Sequence, residues 1–123
     1  MTNVTIGLDV SDRFTHGCVL DTSGTCLEEF RVRTTAEGLK QKLSGIPPAR
    51  VILEAGTHSP WMSRVLCTLG HEVVVAHASR VALIAKGDRK SDRSDAEQLA
   101  RLGRVDPALL CPVEHRSEGA RRT

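Results

Sequence analysis

The sequence of 123 residues predicts an α/β fold: one mixed five-stranded sheet with helices on both faces. Three observations carry that reading. The N-terminal part holds three strand patterns joined by turns too short for a crossover, so they pair as an antiparallel meander. Farther on, helical patterns alternate with short unbroken apolar runs, as strands covered on both faces do. The resulting order, β-β-β-α-β-α-β-α-α, requires two right-handed crossovers into a parallel half.

In chain order, Val4, Ile6, Leu8 and Val10 alternate with Thr5, Gly7 and Asp9, the period of a strand. A polar turn at Ser11-Asp12-Arg13 leads to a second strand, Phe14 to Leu20. Asp21-Thr22-Ser23-Gly24 signals a turn before a third strand from about Thr25 to Arg33. Thr34-Thr35-Ala36-Glu37 reads as a capping box opening a helix through Leu39 and Leu43, ended by Gly45 and Pro47-Pro48. Val51-Ile52-Leu53 is a fourth strand. Ser59-Pro60 then starts a second helix, the serine as N-cap and the proline at the first helical position. Its buried stripe is Trp61, Met62, Val65, Leu66 and Leu69, and Gly70 closes it. Val73 to Ala76 makes a fifth strand. A helical stretch near Ser79 to Ala85, a basic loop and a helix from about Asp92 to Leu102 complete the order. This is the ribonuclease H-like arrangement, which sets strand one at the sheet centre beside strand four.

Composition narrows the function classes. A hydrophobic share of 40% and a charged share of 26% suit one globular domain able to bury a core. Net charge is +2, from 17 basic and 15 acidic residues, so only local distribution can argue for nucleic acid. Phe14, Phe30 and Trp61 are the whole aromatic set, which argues against a surface that stacks single-stranded bases. Cys18, Cys26, Cys67 and Cys111 show no short paired spacing; buried reduced thiols are expected, without a zinc motif or redox pair. No apolar run approaches the roughly 20 residues that span a bilayer. The N-terminus lacks a signal-peptide pattern, so a cytoplasmic location is expected.

The chemistry rests on four carboxylates. Asp9 and Glu54 end apolar strands in matching contexts, Ile6-Gly7-Leu8-Asp9 and Val51-Ile52-Leu53-Glu54. In the arrangement above they become neighbours. Asp92 and Asp95 are three apart where a helical pattern begins, and therefore share a face. Four hard oxygen donors in one cleft suit magnesium or manganese. Two such ions can activate a phosphodiester. Singly, each acid has an ordinary explanation: an aspartate after a strand is commonly a turn residue, and Asp92 and Asp95 could answer a helix dipole. Glu54 has little structural purpose at its position, and the topology collects all four at one sheet edge. Lys86, Arg89, Lys90 and Arg93 flank the acidic pair and suit a phosphate backbone, although a solvated loop would look the same. Ser11, Ser59 and Ser94 have no evident base partner. His58 and His77 follow strands four and five, where a surface or capping role is expected.

Gly7-Leu8-Asp9-Val10-Ser11, Leu53-Glu54-Ala55 and Lys90-Ser91-Asp92-Arg93-Ser94-Asp95-Ala96 together resemble the DEDD motif of insertion-sequence transposases of the IS-one-ten type, which the Piv DNA invertases share. The resemblance spans about residues 4 to 103. Its most specific part is a lysine followed by two aspartates three apart and then alanine. The family usually has threonine where this chain has Ser91, a change that keeps a hydroxyl. The resemblance implies a RuvC-like catalytic domain over residues 1–105, binding Mg2+ or Mn2+ through Asp9, Glu54, Asp92 and Asp95. It also implies DNA strand cleavage and exchange for transposition, completed by a serine nucleophile from a separate C-terminal domain. Some such enzymes are directed by a structured guide RNA, and they act as dimers or tetramers. The charged residues 106–123 are then expected to start a linker toward that second domain. Rival readings are a self-sufficient structure-selective nuclease using water, a catalytically silent nucleic-acid-binding or assembly module, and an actin-like ATPase half. The last needs an equivalent second domain that 123 residues do not supply.

Overall fold

A computed structural model of the chain describes residues 4–77 and 95–105. Over these residues the strands are β1 (Thr5–Val10), β2 (Phe14–Leu20), β3 (Cys26–Arg33), β4 (Arg50–Glu54) and β5 (Glu72–Ala76). Helices are α1 (Ala36–Leu43), α2 (Ser59–Thr68) and α3 (Asp95–Val105). The strands form one sheet in the order β3-β2-β1-β4-β5. The meander β1-β2-β3 is antiparallel, and β1, β4 and β5 run parallel. This is the expected mixed sheet, consistent with a ribonuclease H-like fold, with β1 central beside β4. The helical stretch expected near residues 79–85 and the tail from residue 106 lie outside the described residues.

Strand alternation sorts the side chains into two layers. Ile6 and Leu8 of β1, Val51 and Leu53 of β4 and Val75 of β5 pack with Leu39 and Leu43 of α1 and Met62 and Leu66 of α2. The residues between them face the other way. Ile52, Val74 and Ala76 meet Leu99 of α3, while Cys18 and Leu20 meet Ala96 and Ala100. Helices on both faces explain why Val51, Ile52 and Leu53 are all fully buried. On the α3 side the approach is unusually close. A Cβ placed on Gly7 would lie 2.0 Å from the Ala96 carbonyl oxygen and 2.6 Å from the Ala100 nitrogen. Helix α3 thus rests on the backbone of the central strand, with Gly7, Ala96 and Ala100 supplying the room.

Two caps differ from expectation. Thr35, not Thr34, caps α1: its hydroxyl accepts from the Gly38 amide at 3.0 Å. Glu37 therefore falls one position short of a reciprocal box. Thr34 is buried instead, its hydroxyl donating to the Ser11 carbonyl at 2.7 Å and meeting Thr15 Oγ1 at 2.9 Å. Helix α2 begins at Ser59 itself, with His58 as N-cap residue. The Ser59 hydroxyl closes the turn before it, accepting from the Gly56 amide at 3.0 Å and lying 2.9 Å from the Gly56 carbonyl. Gly70 ends the helix region with φ +92°, a conformation that favours glycine. The thiols depart from expectation too: Cys18 is buried, but Cys26 and Cys67 are exposed.

A buried histidine, passed over in the sequence, joins the two crossovers. His71 Nδ1 accepts the Ala49 amide at 3.0 Å, and its Nε2–H donates to the Leu43 carbonyl at 2.9 Å. It thereby satisfies backbone groups at the end of α1 and just before β4. His71→Ala strands the Ala49 amide away from water, while the Leu43 carbonyl keeps only its longer bond from the Ile46 amide at 3.3 Å. The expected cost is about 2–3 kcal/mol, read as a lower urea midpoint with an unchanged slope.

Candidate active site

The same alternation aims the strand-end acids. Asp9 lies two residues beyond Gly7, and Glu54 two beyond Ile52, both of which face α3. Asp95 is the first residue of α3 and precedes Ala96, which is seated over Gly7. Three chain segments thus bring Asp9, Glu54 and Asp95 to one cavity of about 380 Å³, whose wall also includes Ser11, Asp12 and His58. Asp92, the fourth predicted acid, lies outside the described residues, as do Ser94 and the basic Lys86, Arg89, Lys90 and Arg93. His77, beyond β5, is exposed.

Two of the acids carry the imprint of their neighbours. Partial burial, then the charge of Asp95, raises the Asp9 carboxyl above its ordinary value, and His16 works in the opposite direction. Partial desolvation at the cavity wall raises Glu54 as well, followed by the charges of Asp9 and Asp95. Asp95 adds a further preference, since a carboxylate at a helix N-terminus complements the helix dipole. Its structural and electrostatic roles coincide. The mutual repulsion among the three marks a site that favours positive charge.

Around the mouth runs a hydrogen-bond chain that the sequence did not disclose. Trp61 Nε1–H donates to His58 Nδ1 at 3.0 Å, which leaves the proton of the neutral ring on Nε2. That nitrogen lies 3.0 Å from the Asp12 carboxylate. The indole and the acid therefore orient the His58 ring at the cavity rim, the two rings standing perpendicular with centroids 5.9 Å apart. His16 is a further neighbour of the acids. It stands directly across β1–β2 from Asp9, a pairing that counting back from the Ser11–Phe14 turn would have found.

The donor set fits a hard divalent cation: carboxylate oxygens that repel one another and line a cavity open to solvent. The acids do not close into a tight cage, for among the described residues the His, Cys, Asp and Glu atoms grouped within 4.8 Å of one another belong to Cys18, Cys26 and Glu29. Such spacing leaves room for the water that magnesium retains. Among the described residues no helix is long and apolar enough to cross a membrane. A family model described as a transposase, the DEDD domain of IS110-type (IS-one-ten) elements, matches residues 6–122. No curated protein matches the chain.

Proposed function

Since this chain belongs to the DEDD transposase family of the IS110 type, we propose that Asp9, Glu54, Asp92 and Asp95 are its catalytic acids and hold Mg2+ or Mn2+ for DNA strand cleavage and exchange. The observation that carries the proposal is the convergence of Asp9, Glu54 and Asp95 on one cavity from β1, β4 and α3. When bound, the cation neutralises the acids and polarises the phosphodiester as a Lewis acid. The chain's own part is to hold those oxygens on rigid elements: two come from adjacent parallel strands, and the third from a helix braced on the central strand. His58, fixed by Trp61 and Asp12, presents a polar ring at the rim where a phosphate would enter. Lys86, Arg89, Lys90 and Arg93 are assigned to the DNA backbone, where Lys and Arg replace released counterions. The attacking hydroxyl is assigned to a serine in a separate C-terminal domain, with a guide RNA and a homo-oligomer completing the assembly, as the family resemblance implies.

Metal binding is directly testable by melting. Millimolar Mn2+ or Mg2+ is expected to stabilise the chain by about 1–3 kcal/mol, a rise of several degrees in Tm over a chelator-treated sample. Glu54→Gln should abolish most of that rise without unfolding the protein, because Glu54 is exposed at the cavity wall. A wild-type Tm indifferent to either ion overturns the assignment.

A further inference from the structure

Two thiols and a carboxylate come together on the sheet away from the acidic cavity. Cys18 lies on β2, where it pairs with Gly7 on one side and Glu29 of β3 on the other. The β2–β3 ladder shifts between Val19 and Leu20, and Leu20 pairs with Cys26. That irregularity sets the Cys18 and Cys26 sulfurs 3.7 Å apart. A Glu29 oxygen completes a set whose ligand atoms all lie within 4.8 Å of one another. Cys18 is buried, whereas Cys26 and Glu29 are exposed. One ligand is therefore anchored in the fold while the other two stay open to an arriving ion.

The bland alternative is a pair of protonated thiols in weak contact, with Cys26 S–H donating to the Glu28 carbonyl at 3.8 Å. Geometry favours more than that. Two thiolates on a tetrahedral zinc ion, each at about 2.3 Å, are separated by about 3.8 Å along the edge of the tetrahedron. The observed separation of 3.7 Å already meets that requirement without movement of either strand. Glu29 supplies a third donor, and water can supply a fourth. Acidic neighbours point the same way, since Glu29 and Glu97 both disfavour a bare thiolate at Cys18 and would welcome a cation.

We propose that Cys18, Cys26 and Glu29 form a site for a borderline-soft divalent cation, zinc being the best match, that clamps the edge strand β3 to β2 beneath α3. The ion has to displace thiol protons. Burial above all, and the contact with Cys26, push the Cys18 thiol up to about 12. Metal binding at thiols releases their protons, so affinity rises with pH.

The probe is Co2+ added to the reduced, metal-stripped chain, followed by competition with Zn2+. A thiolate-to-cobalt charge-transfer band should saturate at one ion per chain and disappear on adding zinc. Cys26→Ser, at an exposed position that does not threaten folding, should abolish the band, and Glu29→Gln should weaken binding about tenfold or more. Cys67→Ser, Cys111→Ser and Glu54→Gln should leave it intact, which separates this site from the other thiols and from the hard-cation cavity. No band at millimolar cobalt, or a band that survives Cys26→Ser, overturns the proposal.

Discussion

On the proposed metal assignment, Asp9→Asn is expected to lower DNA strand cleavage on the order of 10³-fold while raising the stability of the metal-free domain. Both effects come from one charge. Asp9 sits at the end of the central strand, where its carboxylate repels Asp95 and Glu54 and is itself partly desolvated. A carboxyl whose folded value lies above its unfolded one makes the native state bind more protons than the unfolded chain in the window between the two values. Stability of the metal-free protein therefore falls as pH rises through the carboxylate range of Asp9 and Glu54, and the full penalty is present at neutral pH. Each like-charge pair near contact costs on the order of 1 kcal/mol in water. Asparagine keeps the shape, removes the charge and removes Asp9's share of the penalty. Melting in a chelator across pH 4 to about 8 should show the wild-type decline flattened in the variant. In manganese the order should reverse, with the wild type gaining Tm and the variant gaining little. A variant that cleaves DNA normally, or that is less stable than wild type in chelator, contradicts the assignment of Asp9.

Gly7→Val should destabilise the domain by about 3 kcal/mol or more, and take the metal response with it. The contact responsible is backbone on backbone. Any Cβ at position 7 would sit 2.0 Å from the Ala96 carbonyl oxygen, with no flexible side chain to turn aside. The strand cannot retreat, because β1 is hydrogen-bonded to β2 on one edge and β4 on the other. Helix α3 has to move, and it carries Asp95 on its first residue. The urea midpoint should fall, and manganese should no longer raise the Tm of whatever fraction stays folded. Gly7→Ala should give the same pattern in reduced measure. A Gly7→Val protein that melts normally and still responds to metal would show that α3 can shift without loss to the site.

What could be read in advance follows the range of the forces involved. Alternation along Val4 to Val10 and the apolar run Val51 to Leu53 report burial directly, so the strands and the side taken by Asp9 and Glu54 were legible. The short turns forced the meander, and the crossovers placed β1 beside β4. Cap positions were less legible where two hydroxyls compete. Thr34 and Thr35 are equally good caps locally, and it was the distant Ser11 and Thr15 that claimed Thr34. Ser59 went astray similarly, its hydroxyl being used by Gly56. The seat of α3 on Gly7 needed knowledge of a contact almost ninety positions long, which no local pattern carries. Cys18 and Cys26 looked unrelated because their meeting depends on a ladder irregularity. Trp61 reaches His58 within the first turn of α2, but Asp12 meets that pair only once α2 is docked.

The two-layer sorting of the strands has a consequence for how this protein decays. Inserting or deleting one residue between Leu8 and Asp9 would either swing Asp9 toward α1 and α2 or turn Ile6 and Leu8 out of their layer, so a reading-frame-preserving indel ruins the chemistry or the shelter. Point changes at the acids relieve repulsion instead and leave the scaffold standing. Degenerate copies of such an element can therefore persist as well-folded, inert relics.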